Sequence, residues 1–363
     1  MNIWELAEQK YEENKKKRNA NTSNNDTYLF QKDRQEPIES YIITAGYPKT
    51  GKTTYLNRFL GIEGGSNSTT ILEYSFGYRH RDSQKDIIHA WELSVDINLS
   101  SLLQIPLTKN HIQKNIGIFI VVDLTKPETV WTMIEEFLKS ARMRITDIFD
   151  KEEDKSFRDY LEESSWERIG GKDVANNGVI RPFPIPLYII GGKYDVFQNE
   201  ETEKRKSICY FLRILNFLYG GCLIFSSINM ENLITRIKNM MSHAAFKINY
   251  SKGLVVDINK PLFVPFGSDS LENIVALNSK QSFINSTFEE IFNDCKRQYN
   301  NLFPQEVINT MAEDEIIKDE KFSEPVIDIL FEERLNNLQR YIREKEEREA
   351  TLERSNRNNN LLF

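Results

Sequence analysis

Between residues 38 and about 250, the chain alternates short apolar runs with segments whose apolar residues recur at helical spacing. The apolar runs have the length and composition of strands, and they lie at Tyr41–Thr44, Ile116–Val122, Leu187–Ile190 and Leu223–Phe225. Continuous apolar runs of this kind are typical of strands that helices cover on both faces. Strands that alternate with helices predict β-α-β units and a mostly parallel central sheet, which defines an α/β fold.

Changes in this pattern divide the chain into a series of segments. We predict a polar N-terminal segment at residues 1–36, an α/β domain at 37–250, a return segment and helix packing on that domain at 251–310, and a charged helical tail at 311–363. Within the domain, the charged stretch Asp150–Gly178 is interpreted as a surface insertion.

The charged tail contains an apolar stripe, which consists of Ile327, Phe331, Leu335, Leu338 and Ile342. Their spacing of three or four residues places them on one face of a long helix. An exposed apolar face forfeits the free energy of burial and promotes aggregation. We therefore expect the stripe to bind a partner or the chain's own α/β domain; the alternative is a free, marginally stable helix.

Composition and charge exclude several classes of protein. The net charge of −7 argues against a nucleic-acid-binding protein, which would carry a basic surface. No apolar run approaches the ~18 residues of a membrane span, so we expect no membrane insertion. Cys209, Cys222 and Cys295 are too far apart for a metal-binding pair and odd in number, which indicates a reducing compartment and buried, unpaired thiols.

The strongest chemical motif lies at residues 46–53, Gly-Tyr-Pro-Lys-Thr-Gly-Lys-Thr, and matches the P-loop pattern G-x-x-x-x-G-K-[ST]. A strand precedes it, and a helix follows that ends at Gly61. In such loops, backbone N–H groups and the helix N-terminus bind phosphate, while the lysine reaches the terminal phosphates and the hydroxyl ligates Mg²⁺. We predict that this site comprises Gly46, Lys49, Thr50, Gly51, Lys52, Thr53 and Thr54, with Thr53 as the metal ligand. The alternative is a helix N-terminus that keeps this shape without a ligand.

A second motif predicts recognition of guanine. The sequence Gly192-Lys193-Tyr194-Asp195 follows a strand and resembles the N-K-x-D motif of small GTPases, with glycine in place of asparagine. Asp195 would accept two hydrogen bonds from a guanine edge, and Lys193 would cover the ring. Ser226 and Ser227 follow the next strand, where GTPases carry their S-A-K loop. The expected ligand is therefore GDP or GTP with Mg²⁺; the alternative role for Asp195 is to cap the next helix.

The residue types that GTP hydrolysis requires are replaced by others in this chain. Where a GTPase has D-x-x-G, this chain has Glu92-Leu93-Ser94-Val95, and Asp96 follows at the position of the water-orienting glutamine. Because phosphoryl transfer depends on positioning and electrostatics, we expect negligible hydrolysis and no enzymatic activity. Thr69 or Thr70 is a weaker candidate for a second Mg²⁺ ligand. Asp123 is the one candidate for a metal-binding acid at a strand end, and a turn residue is its simpler interpretation.

Several peptides together resemble one family, the dynein light intermediate chains, and within it the branch of cytoplasmic dynein-2. They are Gly46–Thr54, Leu72–Gly77, Lys85–Leu93, Pro182–Phe197, Glu203–Lys206 and Val256–Ser270. One departure is that Ser94 and Val95 replace a glycine-rich sequence that the family usually has.

The resemblance implies a Ras-like fold and a non-catalytic subunit that binds and stabilises the tail of the dynein-2 heavy chain beside the other dynein-2 subunits. It also implies a role in retrograde intraflagellar transport and cilium assembly, in the cytoplasm, the cilium, its basal body and the axonemal cytoskeleton. A switching P-loop GTPase is the alternative function.

Overall fold

A computed structural model describes most of the chain. The described residues are 37–62, 71–81, 84–95, 102–150, 155–172, 178–276, 283, 286–305 and 325–360. The predicted N-terminal segment 1–36, and the candidate residues Thr69, Thr70 and Asp96, lie outside them.

A central sheet of seven strands has the order β2-β3-β1-β4-β5-β6-β7. The strands are β1 Glu39–Gly46, β2 Leu72–Arg81, β3 Gln84–Ser94, β4 Asn115–Asp123, β5 Leu187–Gly192, β6 Cys222–Phe225 and β7 Phe263–Val264. Neighbours from β3 to β6 pair in parallel, whereas the edge strands β2 and β7 pair antiparallel. The prediction of an α/β fold with a mostly parallel sheet is therefore confirmed.

The hairpin of β2 and β3 is absent from the four strands predicted from apolar runs. Its residues alternate, and Tyr74, Phe76 and Tyr78 are about half exposed along one face of β2. A continuous apolar run identifies strands buried on both faces, so it misses an edge strand of this kind. The alternation of aromatic with polar or small residues in β2 is the sequence pattern that would have predicted this strand.

Helices cover both faces of the sheet. They are α1 Lys52–Leu60, α2 Lys109–Ile112, α3 Pro127–Asp150, α4 Lys155–Arg168, α5 Tyr194–Phe197, α6 Thr202–Leu218, α7 Glu231–Phe246, α8 Leu271–Val275, α9 Phe288–Leu302 and α10 Pro325–Asn360. Apolar residues of α1 and α7 form the core on one face, and those of α3, α6 and α9 form the larger core on the other. The predicted glycine cap of α1 is present, since Gly61 has a φ of 71°.

The segment after residue 250 packs on the domain. It adds β7 to the sheet edge, and the Tyr299 hydroxyl on α9 donates a hydrogen bond of 2.8 Å to the carbonyl of Pro127 at the start of α3. The charged stretch Asp150–Gly178 contains α4, which buries Leu161 and Ser165. Part of that stretch therefore packs on the domain.

The three cysteines are free and buried, as expected. Burial raises the pKa of Cys209 to about 12, so its thiol stays protonated. Within the described ranges, no group of histidine, cysteine and acidic side chains has the arrangement of a metal site, and no helix is long and apolar enough to span a bilayer.

Candidate functional site

The P-loop connects the carboxyl end of β1 to α1, and its backbone depends on two glycines. A Cβ at Gly46 would lie 2.4 Å from the carbonyl oxygen of Val121, so a side chain there would force β1 and β4 apart. Gly51 has a φ of 97°, in the left-handed region that glycine adopts without strain. Lys49 is also left-handed, with a φ of 63°. The local sequence therefore folds into the loop geometry that the motif predicts.

Within the loop, the side chains of Lys52 and Thr50 bind the same backbone carbonyl. The Lys52 ammonium and the Thr50 hydroxyl each donate a hydrogen bond of 2.9 Å to the carbonyl oxygen of Tyr47. Lys52 is buried, so this bond partly offsets the cost of desolvating its charge. To bind a phosphate, the Lys52 ammonium would have to leave the Tyr47 carbonyl or to bind both acceptors at once.

Thr53, the predicted Mg²⁺ ligand, contacts a carboxylate. Its hydroxyl donates a hydrogen bond of 2.7 Å to Glu92 Oε1, near the end of β3. Burial and the negative charge of Glu92 raise the pKa of neighbouring Glu73, whereas Lys52 opposes this shift. The carboxylates of Glu73 and Glu92 therefore place negative charge near Lys52 and Thr53. Sequence reasoning treated Glu92 only as a departure from D-x-x-G and did not identify either contact.

The predicted guanine motif is packed against the P-loop. A Cβ at Gly192 would lie 3.1 Å from the carbonyl oxygen of Thr50 and 3.3 Å from that of Val122. There is little room at this position for the asparagine of the GTPase motif. The Lys193 ammonium forms an ion pair of 2.5 Å with Asp123.

Asp123 has the role of a strand-end turn residue. Its Oδ1 accepts hydrogen bonds from the backbone N–H of Thr125, at 3.0 Å, and from the Thr125 hydroxyl, at 2.6 Å. Both of its oxygens are therefore in use, since Oδ2 binds Lys193. This geometry supports the simpler of the two interpretations made from the sequence.

Both carboxylate oxygens of Asp195 also have protein partners. Oδ1 accepts a hydrogen bond of 2.6 Å from the Ser227 hydroxyl, and Oδ2 accepts one of 2.7 Å from the Asn229 amide. These bonds, that of Ser227 foremost, lower the pKa of Asp195. The structure therefore brings Asp195 and Ser227 into direct contact, and a guanine edge would compete with Asn229 for the second oxygen.

Two buried hydroxyls lie near this acid and interact with each other. They belong to Ser226, in the predicted S-A-K-like loop, and to Tyr55, in the first turn of α1. Burial raises the pKa of Tyr55 to about 12; a hydrogen bond with the Ser226 hydroxyl opposes this shift, and the charge of Asp195 adds to it. Tyr55 was not among the candidates from the sequence.

The sequence predicted that Val95 replaces the glycine whose backbone N–H contacts the γ-phosphate in GTPases. Its side chain is buried, and its N–H donates a hydrogen bond of 3.3 Å to the carbonyl oxygen of Gly46. This hydrogen bond therefore holds the segment that follows β3 against the end of β1.

The two ends of the site fit a nucleotide to different degrees. The loop backbone, Lys52 and Thr53 have the geometry and chemistry to hold a phosphate and its Mg²⁺. At the base end, Gly192 is tightly packed and the oxygens of Asp195 are already paired. Of the two ends, the loop therefore has the residue types that would fit a phosphate and its metal, whereas the other end has little room for a base.

Together, the sheet order, the helix layers and the P-loop at the end of β1 define a Ras-like P-loop domain with a helical C-terminal extension. A family model of the dynein light intermediate chain (DLIC) matches residues 31–173 and 173–317. The chain therefore belongs to the dynein light intermediate chain family, whose members are dynein motor subunits.

Individual relatives extend over nearly the whole chain. A Danio rerio protein named cytoplasmic dynein 2 light intermediate chain 1 is 34% identical over 319 residues, which cover 87% of this chain and 88% of the relative. The Homo sapiens protein of the same name is 32% identical over 332 residues, which cover 90% and 91% of the two chains.

A solved structure agrees with this assignment at the level of the fold. The crystal structure of a dynein light intermediate chain's conserved domain superposes with a TM-score of 0.54 at 17% identity, covering 80% of this chain and 100% of that domain.

Proposed function

We propose that this chain is a non-catalytic subunit of the cytoplasmic dynein-2 motor, which binds and stabilises the tail of the heavy chain. The observation that carries the proposal is the similarity to dynein-2 light intermediate chains over most of both sequences. Retrograde intraflagellar transport and cilium assembly are the processes that such a subunit would serve. Its sites of action would be the cytoplasm, the cilium, the basal body and the axonemal cytoskeleton.

A contact beside the P-loop supports the proposed absence of catalysis. The N–H of Val95, which the sequence places at the γ-phosphate contact of GTPases, is bonded to the carbonyl oxygen of Gly46. A hydrolytic cycle needs groups that are free to respond to the γ-phosphate. No observation favours the alternative of a switching GTPase.

Guanine nucleotide remains the proposed ligand of the P-loop, with a structural role. Lys52 and the N–H groups before α1 would hold the phosphates, and Thr53 would hold Mg²⁺. The metal would supply positive charge between the phosphates and the carboxylates of Glu73 and Glu92. Binding to the folded state alone would stabilise the domain by mass action.

The apolar stripe of α10 is the proposed contact with a partner. Its five residues, Ile327, Phe331, Leu335, Leu338 and Ile342, are 42–68% exposed. Amphipathic helices commonly bind by placing such a face in a partner's groove. Among the described residues, nothing covers this face, which supports an intermolecular role.

The test is to co-express the full chain with the tail of the dynein-2 heavy chain and to separate the products by size-exclusion chromatography. We expect a stable complex, no complex with the tail of the cytoplasmic dynein-1 heavy chain, and GTP turnover no faster than a buffer control. Failure to co-elute with the dynein-2 tail would overturn the assignment of the partner. Turnover typical of a stimulated GTPase would overturn the non-catalytic assignment.

A further inference from the structure

A large cleft lies at the opposite end of the sheet from the P-loop. Its volume is about 840 Å³, and its wall includes the residues at the start of β1 and β4 and the loop that leads into β5. The P-loop begins at Gly46, where β1 ends, so the length of that strand places it about 23 Å away. A nucleotide in the P-loop therefore would not reach this cleft.

Two cations face the cleft without a carboxylate partner. Arg168 ends α4, and Lys247 follows α7; neither forms an ion pair with any residue in the described ranges. The carboxylates that line the cleft are those of Glu39, which pairs with Lys114, and of Glu167, which is exposed. The positive charge is therefore incompletely balanced.

The environment of these cations is unfavourable without a counter-charge. One Nη of Arg168 donates to the carbonyl of Phe183 at 2.5 Å, but its Nε is buried and has no hydrogen-bond partner. Burial lowers the pKa of Arg168 to about 10. Desolvation, followed by repulsion from Arg168, lowers the pKa of Lys247, although its side chain is exposed to the open side of the cleft. An anion between them would relieve both effects.

The rest of the wall is rigid and partly apolar. The buried Tyr188 ring stacks on Phe119, with centroids 4.3 Å apart, and meets the edge of Phe266 at 5.1 Å. Pro184 and Pro186 restrict the backbone of the loop that closes one side. Ligand sites typically combine such preformed apolar walls with a few polar groups that fix orientation.

We propose that this cleft is a binding site for an anionic group, a carboxylate or a phosphate, attached to an apolar ring or chain. The charges of Arg168 and Lys247 would bind the anion, and the aromatic and proline surfaces would bind the apolar part. The proposal does not depend on the dynein assignment or on the P-loop.

The test measures binding of three small probes to the full chain by isothermal titration calorimetry. Phenyl phosphate and benzoate carry the two anions on the same ring, and benzyl alcohol is the neutral control. We expect at least one anion to bind about tenfold more tightly than the alcohol, with an affinity that falls as salt rises. The anion that binds more tightly identifies the chemistry of the natural ligand.

Single substitutions test where on the protein the anionic probes bind. Lys247→Gln removes an exposed charge with little risk to folding, and Lys252→Gln, an exposed cation nearby that does not line the cleft, is the matched control. We expect about tenfold weaker anion binding in the first variant and no change in the second. Arg168→Gln should weaken binding further, provided its circular dichroism remains native.

Two results would overturn the proposal. Equal binding of the anions and the alcohol would show that the cleft binds the apolar ring and has no anion site. Anion binding that survives Lys247→Gln but is lost in Lys52→Ala would assign the probes to the P-loop.

Discussion

Arg213 on α6 and Asp269 in the segment before α8 form a buried ion pair joined by two hydrogen bonds. The distances are 2.8 Å from Nε to Oδ2 and 2.7 Å from Nη2 to Oδ1. Their side chains are 2% and 3% exposed, so water does not screen the pair. The pair fixes the segment after residue 250 to a helix that covers the central sheet.

The first prediction concerns this pair. Asp269→Asn leaves the Arg213 guanidinium buried without a counter-charge, so the free energy of unfolding should fall by about 3–5 kcal/mol. The measurement is equilibrium unfolding in urea. The matched control is Glu289→Gln, which breaks the exposed pair of Glu289 with Arg181 and should cost about 0–1 kcal/mol. Equal losses in the two variants would contradict the importance of burial.

The second prediction concerns Lys52. Lys52→Ala removes a charged hydrogen bond to Tyr47, so we expect a loss of about 1.5–3 kcal/mol in stability and unchanged association with the heavy chain. A hundredfold excess of GDP over its Kd should stabilise the unsubstituted chain by about 2.7 kcal/mol and the variant much less. Thermal melts with and without GDP and Mg²⁺ measure both effects. Arg58→Ala, at the exposed end of the same helix, is the control, and an equal response to GDP in Lys52→Ala would refute P-loop binding.

The third prediction concerns Mg²⁺. The carboxylates of Glu73 and Glu92 should repel phosphates unless a metal ion lies between them, so chelating Mg²⁺ should weaken GDP binding by about tenfold or more. Glu92→Gln removes one charge and should make binding less dependent on the metal. Titration of a fluorescent GDP analogue with and without EDTA tests this. If the variant and the unsubstituted chain depend on Mg²⁺ to the same degree, Glu92 has no such role.

The fourth prediction concerns the stripe of α10. Phe331→Asp combined with Leu338→Asp places two charges on the exposed apolar face, so co-purification with the heavy chain should fall by about tenfold. The melting temperature of the isolated chain should not change, because both residues are exposed. Asn336→Asp adds a charge on the opposite side of the helix and serves as the control. Truncation at Ser323 should reproduce the loss, and a lower melting temperature would instead indicate docking on the α/β domain.

The fifth prediction concerns pH. Desolvation lowers the pKa of His243 below its ordinary value of 6.5, and the nearby cations Lys247 and Lys252 lower it further, although a hydrogen bond to Ile248 opposes this. The unfolded chain therefore binds a proton more readily, so stability is full above about pH 6.5 and falls as the pH drops toward the folded pKa. Urea unfolding at successive pH values should show this loss. His243→Gln should reduce it, and an unchanged slope would exclude His243 as its source.

Much of the fold followed from local pattern. The apolar runs at Ile116–Val122 and Leu187–Ile190 predicted strands because only a strand covered on both faces needs such continuity. Gly46, Gly51 and Lys52 predicted a P-loop because the loop's backbone and charge require those residue types at that spacing. Edge strand β2 escaped this reasoning because an exposed face permits polar and aromatic residues in alternation.

The sequence by itself determined four central strands, the loop and the family, since each depends on residues close together in the chain or on short peptides. Only the tertiary structure decided which groups meet across the chain: Thr53 with Glu92, Asp195 with Asn229, and Arg168 with Lys247 in one cleft. Partners far apart in sequence are fixed by how the helices pack on the sheet. Side-chain identity alone does not specify that packing, because the same carboxylate can bind a nucleotide or a neighbouring hydroxyl according to what the fold places beside it.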